Sequence, residues 1–261
     1  MPLRYDRYRT EITAQTAALA AEIQTADLTA RVPSCPDWNL HQLLHHIGEG
    51  HRWAAEVVRT RATDPLPDNA LRVLPAEITK SPADLATWLR EGADALTEAL
   101  GSTSPDTPVW SPVPRDPTAS FYARRFTHET LMHRVDAAQA VRQSTADLPV
   151  PAGVLEDAVD EYFDLATLPE MFDFFPARRE LLAPGRTLLF RTPDTAPWLL
   201  DLSGTTMTYS RPTEATETTA TIEGSLFSLL LALYHRPPAT PVVSSGDAGV
   251  LSLWDKHSTF G

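Results

Sequence analysis

The chain has 261 residues, and its 22 Lys and Arg against 34 Asp and Glu give a formal net charge of −12; broad binding to nucleic acid or anionic membranes is excluded, because phosphates would be repelled. A single cysteine, Cys35, rules out an intramolecular disulfide framework and any multi-cysteine metal cluster and points to a reducing compartment, the cytoplasm. The charged N-terminal stretch lacks a signal peptide's apolar core and no run of about 18 apolar residues occurs, so a monomer or weak homodimer acting on a small molecule is expected, with no nucleic acid or membrane partner.

Taken in chain order, Tyr8, Ile12, Thr16, Leu19 and Ile23 recur at helical spacing and predict a first helix with one buried face. Pro33 and Pro36 in RVPSCPDW break it. Asn39 with Gln42 forms a capping-box pattern, and Leu40, Leu43, Ile47, Trp53, Ala54 and Val57 carry a second amphipathic helix to about Arg61. Ser81 as N-cap, Pro82 at the first helical position and Gly101 at the end delimit a third. A fourth presents Tyr122, Phe126, Glu129, His133, Val135, Asp136 and Ala140 on its inward side. Four helices with three connections predict a four-helix bundle over residues 1–146, an architecture whose core commonly holds metals on facing helices.

From residue 147 to 261 the composition shifts. A helix from about Val154 to Leu165, β-like runs near Thr187, Trp198, Met207 and Thr219, and a return to helix in SLFSLLLALYHR predict a small α+β domain. The fold class expected for the whole is therefore α+β, a helical bundle followed by a sheet-containing domain.

Chemistry concentrates in the bundle. Glu129 and His133 stand four apart in HETLMHRVDA, so a helix places both on one side, a turn apart. Asp136, three residues on, lies on that side as an acceptor for a histidine N–H or as a group facing the pocket. In LLHHIGEGH, His46 follows Leu43 by three and adjoins Ile47 on the buried stripe, whereas His45 is rotated from it by about 100°. Such spacing also describes a solvated ion pair, and a lone histidine on an apolar stripe also describes a satisfied core residue. Three ionisable groups on otherwise apolar stripes is a different matter, since burying them without a metal or partners is costly. His46, Glu129 and His133 with one open position match a catalytic zinc arrangement. Among the other groups, Cys35 reads as a structural turn thiol, His51, Trp53 and Arg125 as packing or solvated charge near the pocket, and His128 points away from Glu129.

RVPSCPDWNLHQLLHHIGEGHRWAAEVV followed by ARRFTHETLMHRVDAAQAV resembles the mycothiol-dependent maleylpyruvate isomerase family, a branch of the DinB-like metal-binding bundles. VPAGVLEDAVDEY and TIEGSLFSLLLALYHRPP resemble its second domain. The resemblance implies Zn2+ on His46, Glu129 and His133, mycothiol as thiol cosubstrate, and a catalytic arginine for which Arg236 is the match. The family tends to carry Gly before that arginine, where this chain has His235. It implies a thiolate adding to an electrophilic small molecule, with either cis–trans isomerisation or S-transfer as the outcome. Two alternatives compete: a metallohydrolase of thiol conjugates or amides with Asp136 as base, and a non-catalytic small-molecule-binding protein or diverged biosynthetic enzyme.

Overall fold

The computed structural model describes residues 2–69, 73–141, 145, 148–214, 216–238 and 240–258. Helix α1 spans Tyr5–Glu22, and the predicted stripe of Tyr8, Ile12, Thr16 and Leu19, with Ile23 just beyond it, is buried throughout. The proline-bearing stretch that follows does more than break the helix. Arg31–Val32 (β1) pairs antiparallel with Cys35–Asn39 (β2), with a bulge between Arg31 and Val32. Such a two-stranded hairpin has only edges, which is where proline is tolerated in a sheet.

Asn39 leaves the hairpin and opens α2, Leu40–Thr60. Its side chain accepts the Gln42 N–H at 2.9 Å while the Gln42 side chain accepts the Asn39 N–H at 3.0 Å, the capping box expected from the sequence. The helix closes with Arg61 in the left-handed region (φ 49°), where the Arg61 and Ala62 N–H groups donate to the carbonyls of Val58 and Val57. Helix α3, Pro82–Gly101, begins with Ser81 accepting the Asp84 N–H at 3.2 Å, and α4 spans Ala119–Ala140.

Helices α1 and α2 each lie against both α3 and α4. The apolar interior forms two layers. One contains Tyr8, Ile12, Val57, Leu96, Tyr122 and Phe126, and the other Leu19, Leu43, Ile47, Leu85, Leu89 and Ala137. Between them come His51 on α2 and Glu129, Thr130 and His133 on α4, with His46 at the edge of the second layer beside Ile47, so the bundle has a polar waist. α2 and α3 approach closely at Gly48, where a Cβ would stand 2.1 Å from Cζ3 of Trp88.

The compact unit from Pro149 onward has its own core. It opens with α5, Ala152–Ala166, and the short α6, Met171–Phe174, followed by a 3-10 turn over Pro176–Leu181. Strands β3 (Thr187–Arg191), β4 (Trp198–Asp201), β5 (Thr208–Ser210), β6 (Ala220–Glu223) and β7 (Val243–Gly246) form one sheet in the order β5-β4-β3-β6-β7. β3 and β6 run parallel, and the other pairings are antiparallel. Helices α7 (Leu226–Leu233) and α8 (Ala248–His257) complete it. Tyr162, Phe163, Phe190 and Trp198 are buried at its centre. Among the described residues, no helix is long and apolar enough to cross a membrane.

Candidate metal centre

Because α2 packs on α4, His46 from one helix meets Glu129 and His133 from the other at the polar waist. One ligand atom from each lies within 4.8 Å of the other two. Glu129 Oε1 is 3.1 Å from His133 Nε2 and 3.5 Å from His46 Nε2. The two imidazoles meet edge to face, with ring centroids 5.3 Å apart. Bonds of about 2.0–2.1 Å at tetrahedral angles would separate neighbouring ligand atoms by about 3.3 Å. The donor set and its spacing therefore fit one zinc-sized ion, with small adjustments of three side chains.

The far sides of two of these side chains are already engaged. His133 Nδ1 donates to Asp136 Oδ2 at 2.9 Å, which turns Nε2 toward Glu129. Asp136 is fully buried, and its other oxygen accepts the Ser34 hydroxyl at 2.5 Å. Of the two roles open to Asp136, this geometry is that of the histidine acceptor and not of a group facing a pocket. Arg125, one helical turn before Glu129, pairs with Glu129 Oε2 and leaves Oε1 toward the histidines. Burial pushes the Glu129 carboxyl up, but Arg125 and His133 outweigh it and hold it well below the usual range. Burial likewise pushes His133 down, but Glu129 and the Asp136 hydrogen bond outweigh it and raise its pKa to about 9.

The remaining histidines fall outside this cluster. His45 stacks on Trp88 with ring centroids 5.6 Å apart, away from Glu129 as its rotation predicts. His51 is completely buried, with Nε2 2.8 Å from Thr130 Oγ1. The Thr130 hydroxyl already donates to the Phe126 carbonyl at 2.6 Å, so Nε2 is the protonated nitrogen of His51. Burial and the neighbouring Arg52 press its pKa down to about 3, the state of a neutral core histidine. His128 is buried edge-on to Tyr8. Cys35 is half-buried in β2, so it occupies a strand where the sequence pointed to a turn.

Sequence reasoning missed Ser34 and Trp38. The Trp38 ring lies 5.1 Å from that of His46 and 6.5 Å from that of His133, so an aromatic wall borders both imidazoles. Both residues belong to the hairpin read as a simple break; the CPDW run contained the signal, but only pairing with β1 turns it toward the site.

Arg236 belongs to the C-terminal unit, at the end of α7. The helix closes there by a 6→1, 5→2 pair: the Arg236 N–H donates to the Leu231 carbonyl at 2.8 Å and the His235 N–H to the Ala232 carbonyl at 3.1 Å. This closure needs a left-handed residue, normally glycine, before the arginine. His235 fills it at φ 55°, with its Nε2 2.8 Å from Ser258 Oγ. The substitution thus keeps the turn that presents Arg236, whose Nη1 donates to the Tyr234 carbonyl at 2.8 Å.

A model of the mycothiol maleylpyruvate isomerase N-terminal domain matches residues 9–138. The crystal structure of the mycothiol-dependent maleylpyruvate isomerase superposes with a TM-score of 0.60 at 15% identity, covering 94% of this chain and 95% of that one. A histidine-to-alanine mutant of that enzyme gives a TM-score of 0.59 at 16% identity over the same shares. No curated protein matches the sequence. Residues 9–138 thus belong to the mycothiol maleylpyruvate isomerase N-terminal domain family, and the chain carries the fold of the mycothiol-dependent maleylpyruvate isomerase along nearly its whole length.

Proposed function

We propose that the protein is a metal-assisted, thiol-dependent isomerase acting on a small electrophile with a cis double bond, of the maleylpyruvate kind, with mycothiol as thiol. The observation that carries this reading is the convergence of His46, Glu129 and His133 at the waist of a bundle belonging to that family. When bound, zinc would supply Lewis acidity that favours the thiolate over the thiol at neutral pH. The chain's own residues do the rest. His46 and His133 offer Nε2, Glu129 offers Oε1, Arg125 restrains the second carboxylate oxygen and Asp136 fixes the His133 tautomer.

In the reaction, a thiolate adds to one alkene carbon and the electron pair moves onto the conjugated carbonyl as an enolate. Rotation about the resulting single bond and expulsion of the thiolate give the trans product, with no net gain or loss of atoms. Arg236 is assigned to a substrate carboxylate or the enolate oxygen, as a bidentate donor. An electrophile with no leaving path would end as a thioether, so S-transfer is the same chemistry stopped halfway. Hydrolysis would require a carboxylate free to take a proton from water, and Asp136, buried with Ser34 and His133 on its two oxygens, does not offer one.

Incubating the purified protein with zinc, mycothiol and maleylpyruvate tests the reading. Isomerisation that requires the thiol and disappears in His46→Ala supports it. A thioether as the only product would reassign the protein as a transferase, and thiol-independent turnover or none would overturn both assignments.

A further inference from the structure

The hairpin β1–β2 has no ligand of its own, yet its turn reaches the metal centre. Ser34 lies 102 positions before Asp136 in sequence, and its hydroxyl donates to Asp136 Oδ1 at 2.5 Å, the short end of the range for a hydroxyl on a carboxylate. Asp136 shows no exposed surface, and its Oδ2 holds His133 Nδ1 at 2.9 Å. The three groups therefore form a line from a surface turn to a ligand nitrogen, with the carboxylate as its middle member. Trp38, four residues after Ser34 in the same hairpin, sits beside the rings of His46 and His133. Each donor that a buried carboxylate accepts narrows the rocking about its χ angles, and the imidazole bonded to it rocks less as well. Ser34 supplies such a donor from a separate element.

We propose that Ser34 is a positioning residue of the metal centre: by clamping Asp136 Oδ1 it fixes the orientation of His133, so the turn of the hairpin sets metal affinity. This inference rests on the reading of His46, Glu129 and His133 as ligands. It assigns to the turn a role that those three residues do not need in order to bind some metal.

The experiment is zinc affinity measured by competition with a chromophoric chelator, on the full chain, with no substrate present. Ser34→Ala is expected to weaken zinc about 10–100-fold, the usual effect of losing a partner behind a ligand. Ser34→Thr, which keeps the hydroxyl, is expected to stay within about fivefold of the wild type, well above that loss. Asp136→Ala should weaken zinc by itself, and adding Ser34→Ala to it should change little, because the two act through one path. Circular dichroism and thermal melts on each variant establish that the fold is kept; should Ser34→Ala unfold, Ser34→Cys, whose thiol is a much weaker donor of nearly the same size, carries the decision alone and on the Asp136→Ala background. Equal affinity in Ser34→Ala and wild type, or losses that simply multiply in the double variant, would overturn the proposal. A wild-type protein that takes up no zinc would instead overturn the ligand assignment itself.

Discussion

Burial alone would keep His133 neutral, but Glu129 on one nitrogen and Asp136 on the other outweigh it and raise its pKa to about 9. That places an imidazolium beside a carboxylate, and on the proposed ligand assignment a metal ion would have to displace that proton to take Nε2. Because the pKa lies above the usual histidine value, the proton is present at pH 7 and is lost only as the pH rises through about 9. Zinc affinity should climb with pH up to that point, and binding at pH 7–8 should release about one proton per site. Calorimetry in two buffers of different ionisation enthalpy reads this directly; a binding heat independent of the buffer would contradict it. His46 was legible in the sequence because its place after Leu43 and beside Ile47 puts it on the buried stripe, and His45, one residue back, is found against Trp88. Ser34 was not legible, since its partner Asp136 lies 102 positions away, and Trp38, only eight residues before His46, was missed because the pairing of β1 with β2 that turns it toward the site leaves no local period.

At the scale of elements, local chemistry set most boundaries. The Asn39–Gln42 box and the Ser81–Pro82 start appear where their patterns place them, since each is satisfied within one turn. The hairpin β1–β2 and strand β7 were hidden. The first contains two prolines, and the second is exposed along its length, so neither has the alternation that marks a strand. Gly48 exposes how tightly α2 and α3 are joined. Arg52 lies 4.2 Å over the Trp88 ring and donates to the carbonyls of Gly48 and Trp88, so the indole has little room to retreat. Gly48→Ala should destabilise the bundle by about 1–3 kcal/mol in denaturant titrations; an unchanged midpoint would show that the indole moves aside freely. Arg61 makes the opposite case. It is exposed and holds a left-handed conformation that glycine adopts without strain. Arg61→Gly should stabilise by about 0.5–1 kcal/mol, raising the melting temperature by about 1–3 °C, and a lower melting temperature would refute this account of the helix end.

Across the whole molecule, two compact units each bury their own apolar core. Their class was readable from the shift in composition near residue 147 and from the short β-like runs that begin near Thr187. The sheet order was not, because the parallel pairing of β3 with β6 skips two strands and nothing in either strand names its partner. What the proposed chemistry would require of the molecule is narrower than its fold: one ion held by residues from two helices that the sequence separates by more than eighty positions. The most direct test is the metal content of the purified, zinc-reconstituted chain, by mass spectrometry of the native protein or elemental analysis. The account predicts close to one zinc per chain in the wild type and its loss in His46→Ala and in His133→Ala. A wild type that retains less than about 0.2 zinc per chain, or a variant that retains as much zinc as the wild type, would contradict it.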